Sequence, residues 1–300
     1  MTALQQILIP ERTSQAPGFW QRLLRNPAGA VSLVLIVLIG LAALVGPSLY
    51  GVSPASPDFA HINAAPGGSH PLGSDRLGRD TLARLLAALR VSLLVALVVE
   101  VVNTVLGTLL GLVAGYAGGW VDVVISRFAD MLFAFPGLLL AILVAAVFGQ
   151  WVTENYGSTA RLILVAGSIS LVSWPLMARY VRGQVLSLRE RDFVLGARAI
   201  GQRDTGIVLR HILPNVLGLV LTAATLDVVN AIVGEATLSL LGLGIQSPDT
   251  SIGKMIVEGA PLLGQNPWLV FVPAATLTLL VLLFSFLGEA LRDALDPASR

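Results

Sequence analysis

The chain contains no cysteine. Disulfides, thiolate metal sites and cysteine nucleophiles are therefore excluded. Only one lysine is present, Lys254, so almost every positive charge is an arginine. The three histidines (His61, His70, His211) lie far apart in sequence, and no His-rich or carboxylate-rich metal cluster is visible, so no metal site is predicted. No Gly-rich phosphate loop of the G-x-x-x-x-G-K-[ST] kind occurs, so no ATP is expected on this chain and no cofactor is predicted for it. Internal repeats and low-complexity tracts are also missing. Charge itself is scarce, at 12% of residues, about half the usual fraction. What fills the space is apolar: 55% of the 300 residues are hydrophobic. A soluble globule of this length could not hide so much apolar surface, which leaves an all-α polytopic membrane protein. The net charge of +1 says little, and no nucleic-acid partner is expected.

A bilayer core needs roughly 20 mainly apolar residues per helix. Six runs qualify, at 28–49, 91–116, 122–148, 162–181, 216–243 and 268–287. The first carries no charge between Arg25 and Asp58. It is too long for a signal-peptide core and is expected to remain as an anchor. Arginine and lysine distribution sets the orientation. With the N-terminus inside, inside segments hold 12 of the 19 basic residues and outside segments six, Arg127 lying within a span. This predicts N-in and C-in. The organisation that follows is a cytoplasmic tail (1–27), a first transmembrane helix (28–49), an extracytoplasmic loop (50–90), a core domain (91–290) and a cytoplasmic end (291–300). The arginines from Arg76 to Arg90 run against the charge rule. Their segment alternates with Leu77, Leu82, Leu85, Leu86 and Leu89, and is expected to lie on the membrane surface as an amphipathic elbow.

Gly107, Gly111 and Gly115 form two overlapping GxxxG patterns, a strip where another helix backbone can approach closely. Ionisable residues within spans are expensive and face protein or water. Arg127 and Asp130, three apart, are expected to pair with each other. Asp227, Asn230 and Glu235 fall roughly on one face of the fifth span. That stripe suits a water-accessible pathway or a partner-subunit contact; a hydrogen-bonded structural stripe is the competing reading.

The most polar interruption is residues 184–215, centred on DFVLGARAIGQRDTGIVLRHILPN from Asp192 to Asn215. Seven arginines lie between Arg179 and Arg210. Phe193, Ala197 and Ile200 recur at the spacing of one helical face. Gly201 suits a left-handed C-terminal cap, Asp204 suits the cap of a second short helix, and Pro214 is expected to separate this piece from the fifth span. Such an apolar stripe must be buried on lipid, on the chain's own spans or in another protein's groove.

This segment resembles the EAA loop of permease subunits in bacterial ABC importers, E-A-A-x3-G-x9-I-x-L-P. Leu195, Gly196, Ala197, Gly201, His211, Leu213 and Pro214 occupy its positions without a gap. Leu195 stands where the family has Glu, Gly196 where it has Ala, and His211 where it has Ile. Leu195 removes a carboxylate, and Gly196 loosens the helix by about 1 kcal/mol. Four further segments are similar to the C-type, second permease of dipeptide, oligopeptide and nickel importers: His70-Pro-Leu-Gly-Ser-Asp-Arg-Leu-Gly-Arg-Asp80; Gly115-Tyr-Ala-Gly-Gly-Trp-Val-Asp122 with Arg127, Asp130 and Pro136; Glu235-Ala-Thr-Leu-Ser-Leu-Leu-Gly-Leu-Gly-Ile-Gln-Ser-Pro248; and Leu291-Arg-Asp-Ala-Leu-Asp-Pro297. The resemblance implies a type I ABC importer permease fold in the bacterial inner membrane. It implies pairing with a second homologous permease, two ABC ATPase subunits carrying ATP and Mg, and an extracytoplasmic substrate-binding protein. The transport subunit is then not itself an enzyme. Phe193, Leu195, Ala197, Arg198, Ile200, Gly201, Asp204 and Pro214 would couple it to an ATPase. Di- or oligopeptides are the expected substrate, with nickel or glutathione as alternatives in the same family. From other classes, an ATP-independent channel or carrier would accommodate the span-five carboxylates but not the island. An intramembrane protease would need a histidine beside Ser168 or Ser170, or matched aspartates, and the sequence contexts of Asp130 and Asp227 do not fit.

Overall fold

A computed structural model describes residues 19–295, which form helices joined by one long irregular segment at 51–80 and shorter loops. The helices are α1 (Phe19–Arg25), α2 (Pro27–Tyr50), α3 (Thr81–Ala117), α4 (Gly119–Phe133), α5 (Gly137–Leu188), α6 (Asp192–Ala199), α7 (Asp204–Ile207), α8 (Leu213–Leu240), α9 (Ile252–Gly259) and α10 (Trp268–Leu295).

Helix α2 begins where Asn26 accepts a hydrogen bond from the Gly29 N–H and Pro27 occupies the first turn. It ends where Gly51 turns left-handed at φ 69°. Apolar residues surround it, and Val31, Val34, Leu38, Leu41 and Leu44 remain exposed. A helix hydrophobic all round with most of its surface uncovered has lipid as its solvent. Just before it, α1 turns Leu23 onto Leu287, Ala290 and Ala294 of α10. The helical part of the N-terminal tail is therefore packed on the bundle; Arg12 and the rest of residues 1–18 lie outside the described residues.

Helix α3 is the centre of the bundle. It starts at Thr81, capped by Asp80, whose carboxylate accepts from the Ala83 N–H at 2.8 Å. The run expected to begin at 91 thus starts ten residues earlier, and the surface elbow does not form. Arg84 sits inside this helix, 3% exposed, bound to Asp75 and Glu258. The leucines beside it pack inward: Leu85 and Leu89 belong to the main core with Val95, Val99, Ile169 and Ile232. A buried arginine with two carboxylate partners let the helix continue through a segment whose charge suggested an interface.

The glycine strip behaves as its spacing requires. A Cβ at Gly107 would meet Met177 Cβ at 2.5 Å, one at Gly111 the Ala178 carbonyl at 2.6 Å, and one at Gly115 Val185 Cβ at 2.7 Å. The contacts advance together along both helices, so α3 and the second limb of α5 run parallel with their backbones nearly touching. We expect Gly111→Ala to cost about 1–3 kcal/mol through overpacking against backbone that cannot yield, read as a lowered thermal unfolding midpoint in detergent.

The third and fourth spans differ from expectation in their boundaries. The run 122–148 is not one helix: α4 stops at Phe133, and α5 opens after Pro136. Proline lacks an N–H and disfavours helical geometry in the residue before it. Helix α5 is in turn two antiparallel limbs, 137–156 and 158–188, reversing at Gly157 (φ 80°, ψ −176°). The reversal is visible in its contacts: Gly137 lies against Val172, and Gly149 against Arg161. Among the described residues, five helices are long and apolar enough to cross a membrane. Counting the two limbs of α5 separately, six segments span the bundle. One end of the bundle carries the 51–80 loop, Gly157 and α9; the other carries α6, α7 and the C-terminus of α10.

Candidate functional site

The polar island folds into a clamp at the end of the bundle opposite the 51–80 loop. Helix α6 closes with a Schellman motif: Gly201 N–H bonds to the Arg198 carbonyl at 3.0 Å, and Gln202 N–H to the Ala197 carbonyl at 3.1 Å, with Gly201 at φ 77°. The predicted cap at Gly201 is thus present. Asp204 differs from expectation. It occupies the first position of α7, whose N-terminus receives no side-chain cap, and its carboxylate accepts from Tyr116 Oη at the end of α3. Tyr116 also lies under the Arg198 guanidinium, 5.8 Å from its ring centre. Competition from this tertiary donor took the carboxylate away from its local role.

Pro214 also acts differently. Leu213 keeps helical angles (φ −53°, ψ −47°), and the chain runs from α7 through a π-helical segment, Val208–Ile212, straight into α8. A wide i→i+5 turn relocates the hydrogen bond that proline cannot make, so the island is rigidly continuous with the fifth span.

The apolar face of α6 is rotated from the one its spacing suggested. Val194 is fully buried and Ala197 nearly so, packed with Ile207, Ile212 and Val216. Phe193 and Ile200 are not part of that core. Phe193 is 44% exposed, Leu195 44%, Ile200 84%, and Leu209 on the π segment 61%. Ala197 was grouped with Phe193 and Ile200 by period alone; a two-sided environment splits them, small residues inward and large ones outward. Gly196 leaves open space around its missing Cβ. The clamp is fastened from below by Tyr116 and by Arg189, whose Nη1 donates to the Gly115 carbonyl at 3.1 Å. Arg182 is held bidentate by Asp122 of α4. Asp130 pairs with Arg179 at 3.0 Å rather than with Arg127, because the neighbouring helix offers a guanidinium where Arg127 on α4 does not reach.

In the membrane-spanning part, the expected stripe on α8 divides. Glu235 is buried, with Ser92 Oγ at 3.0 Å and Ser239 Oγ at 2.7 Å donating to its oxygens. That is the hydrogen-bonded structural arrangement. Asp227 instead accepts from Asn103 of α3 (3.0 Å) and from Asn230 (2.8 Å). It lines a cavity of about 130 Å³ with Met177, Tyr180, Leu226 and Asn230. Tyr180, Ala223 and Leu226 also border a larger hollow of about 540 Å³ that reaches Gln184, Asn215 and Arg292. A largely apolar groove with Gln184, Asn215, Asp227 and Asn230 along it therefore runs down the α5–α8 face toward the clamp. Eight residues advance a helix by two turns and about 80° more, enough to turn Glu235 into the core and leave Asp227 at the groove.

Sequence reasoning missed two clusters at the other end. Arg79 and Arg84 converge on Asp75 and Glu258, joining the 51–80 loop to α9 across more than 170 positions. Asp58, His61 and His70 bring donor atoms within 4.8 Å of one another. Histidines nine apart in an irregular loop carry no periodic signal by which that proximity could be read.

Residues 107–300 match the family described as binding-protein-dependent transport system inner membrane component. Residues 14–66 match the N-terminal TM domain of oligopeptide transport permease C. The chain is 41% identical over 289 residues to the oligopeptide transport system permease protein OppC of Escherichia coli, covering 94% of this chain and 92% of that one. It is 37% identical over 292 residues to the dipeptide transport system permease protein DppC of Alkalihalophilus pseudofirmus, covering 96% and 93%. Among solved structures, an inward-facing MetNI methionine ABC transporter superimposes with a TM-score of 0.56 at 18% identity, over 71% of this chain and 96% of that one. An amino acid ABC transporter gives 0.51 at 16% identity, over 69% and 92%. These last two likenesses are of fold.

Proposed function

Since the chain belongs to the inner-membrane components of binding-protein-dependent transport systems, we propose that it is the C-type permease subunit of an ATP-driven importer of di- or oligopeptides. The island end faces the cytoplasm, as the arginine distribution requires, and the 51–80 end faces outward toward a substrate-binding protein. A second, related permease closes the groove on the α5–α8 face, so that Asp227 and Asn230 border the route between the two. Two ATPase subunits hold ATP and Mg, and one of them receives α6.

The observation that carries this reading is the clamp. Phe193, Leu195 and Ile200 on and just after α6, with Leu209 on the π segment, leave apolar side chains uncovered on a clamp whose opposite side is locked to α3 and α8. Exposed apolar patches of this kind mark interaction sites, and a helix laid in a partner's groove is a recurrent mode of recognition. Because the Tyr116–Arg198 ring contact and the Val194–Ile212–Val216 packing tie α6 to two spans, a partner that moves α6 moves the spans with it. Leu195 and Gly196 make that contact apolar and slightly loose where the family has a carboxylate.

The test is uptake of a labelled dipeptide or tripeptide into proteoliposomes holding the complete complex. Uptake that needs ATP inside and the binding protein outside is expected. Uptake that proceeds equally with the ATPase subunits left out would place the chain among passive carriers instead. A second measurement addresses the groove: Asp227→Asn keeps an acceptor for only one of Asn103 and Asn230 and needs the other amide to flip, and it should leave uptake within about threefold across pH 6–8, since its expected role is hydration of the route. A tenfold loss would show that the charge itself is needed.

A further inference from the structure

We propose that Asp58, His61 and His70 form a binding site for one divalent transition-metal ion of the zinc class, with Asp80 orienting His70 from behind. The argument begins at His70. It is 8% exposed, and its Nδ1 lies 2.8 Å from Asp80 Oδ2. A carboxylate accepts, so Nδ1 carries the proton. In its neutral form, the form that ligates a metal, the ring presents a lone pair at Nε2; Asp80 and Asp58 also favour the imidazolium, whose Nε2–H would point at Asp58. That atom is buried and has no hydrogen-bond partner. What it faces is Asp58 Oδ2, at 3.5 Å. A nitrogen and a carboxylate oxygen that face each other at this distance need a cation between them, a proton or a metal ion.

A metal ion is suited to that gap. Zinc with nitrogen and carboxylate ligands at about 2.0–2.2 Å in tetrahedral geometry places its donor atoms about 3.3–3.6 Å apart. His70 and Asp58 already stand at that separation, and His61 completes the set, with all three donor atoms within 4.8 Å. His61 Nδ1 is now 2.8 Å from the same Asp58 oxygen, so only this exposed ring has to open slightly. His61 and Asp58 are 51% and 44% exposed at their side chains, which provides an entry path and room for water as a fourth ligand.

The rest of the site is built in advance. Asp58 Oδ1 accepts from the Ala60 N–H at 3.1 Å, and its own N–H bonds to the Gly78 carbonyl at 3.0 Å. A Cβ at Gly78 would collide with the Asp58 carbonyl, so only glycine allows the two strands of the loop to meet there. His70 is fixed by paired backbone bonds with Gly67. Asp80 is immobilised by Ala83 N–H and Tyr50 Oη. A carboxylate on the far nitrogen of a ligating histidine is the usual outer support of such ions. Imidazole with one carboxylate suits zinc and its neighbours rather than calcium or magnesium. Bound there, the ion would tie the loop between α2 and α3 into one unit at the head of α3. This inference is independent of the transport reading.

The experiment uses the complete complex, purified with a tag that contains no histidine and stripped with chelator. Cobalt(II) serves as the optical probe for tetrahedral coordination, and zinc is then added to displace it. One equivalent per chain is expected, with binding weakened at least tenfold in both Asp58→Asn and His61→Gln. Both residues are partly exposed, so neither change should disturb folding, and peptide uptake by each variant serves as that check. Absence of a tetrahedral cobalt spectrum in the parent protein would overturn the site, leaving a proton alone between His70 and Asp58. Wild-type affinity in either variant would overturn the ligand set.

Discussion

A complex carrying Phe193→Asp and Ile200→Asp together is expected to lose its ATPase subunits on purification while the permease itself stays folded. Ile200 is 84% exposed and Phe193, 44% exposed, meets His211 at its ring, so their replacement leaves the buried Val194–Ile212–Val216 contacts of the clamp in place. In an interface of this kind a buried aromatic or large aliphatic anchor is worth about 2 kcal/mol or more, and 1.4 kcal/mol is tenfold. The two losses, with two carboxylates buried against an apolar groove, should weaken docking by roughly a thousandfold. Co-purification and binding-protein-stimulated ATP hydrolysis should fall together. The control is Val194→Asp, whose residue is fully buried between α6 and α8. That variant should lose the fold of the clamp, seen as protease cleavage within 184–215, rather than docking alone. Retained ATPase association in the Phe193/Ile200 variant would remove α6 from the coupling role.

The second large effect lies at the opposite end. Arg84→Ala should cost about 2–3 kcal/mol of stability, since it removes the more buried of the two guanidiniums on Asp75 and Glu258 and leaves Arg79 alone to hold both. Asp75 shows what the cluster does. Burial by itself would raise its carboxyl, but the Arg79 N–H, the Arg84 guanidinium and the Leu77 N–H outweigh that and hold it below the ordinary carboxylate range. A carboxyl depressed in the folded state stabilises that state above its unfolded pKa of about 3.9. The contribution is lost as pH falls through the folded value. Acid unfolding of the 51–80 loop is therefore expected below about pH 4, and Asp75→Asn should flatten that limb of the stability profile. Thermal unfolding between pH 3 and 7 checks both. If Arg84→Ala unfolds at the parent's midpoint, the cluster has no structural role and the loop is held by its backbone bonds.

The spans were legible because membrane helices are written in composition. Runs of twenty apolar residues can do little else, and the GxxxG strip told which face of α3 another backbone would meet. Gly201 was readable for a similar reason: a left-handed cap is a local event that one residue type serves. Where several elements compete for one group, the local reading failed. Asp204 could cap α7 or accept from Tyr116, and nothing nearby in sequence announces Tyr116. Asp130 had Arg127 three residues away, and it took Arg179 from the second limb of α5. Pro136 and Gly157 are visible in the sequence as breaks, but an uninterrupted apolar run across the first hid its effect.

The amino-acid sequence determined the medium, the number of crossings, the orientation implied by its arginines, and the residues that make up the island. Those depend on sums over many residues or on one residue's backbone preference, which no neighbour can alter. Tertiary structure alone decided which way each polar group turned. It buried Glu235 and left Asp227 at a groove, faced Val194 inward and Ile200 outward, and drew Asp58, His61 and His70 together. Each of those outcomes is a choice between partners, settled by distances and by the cost of leaving a buried donor or acceptor unpaired.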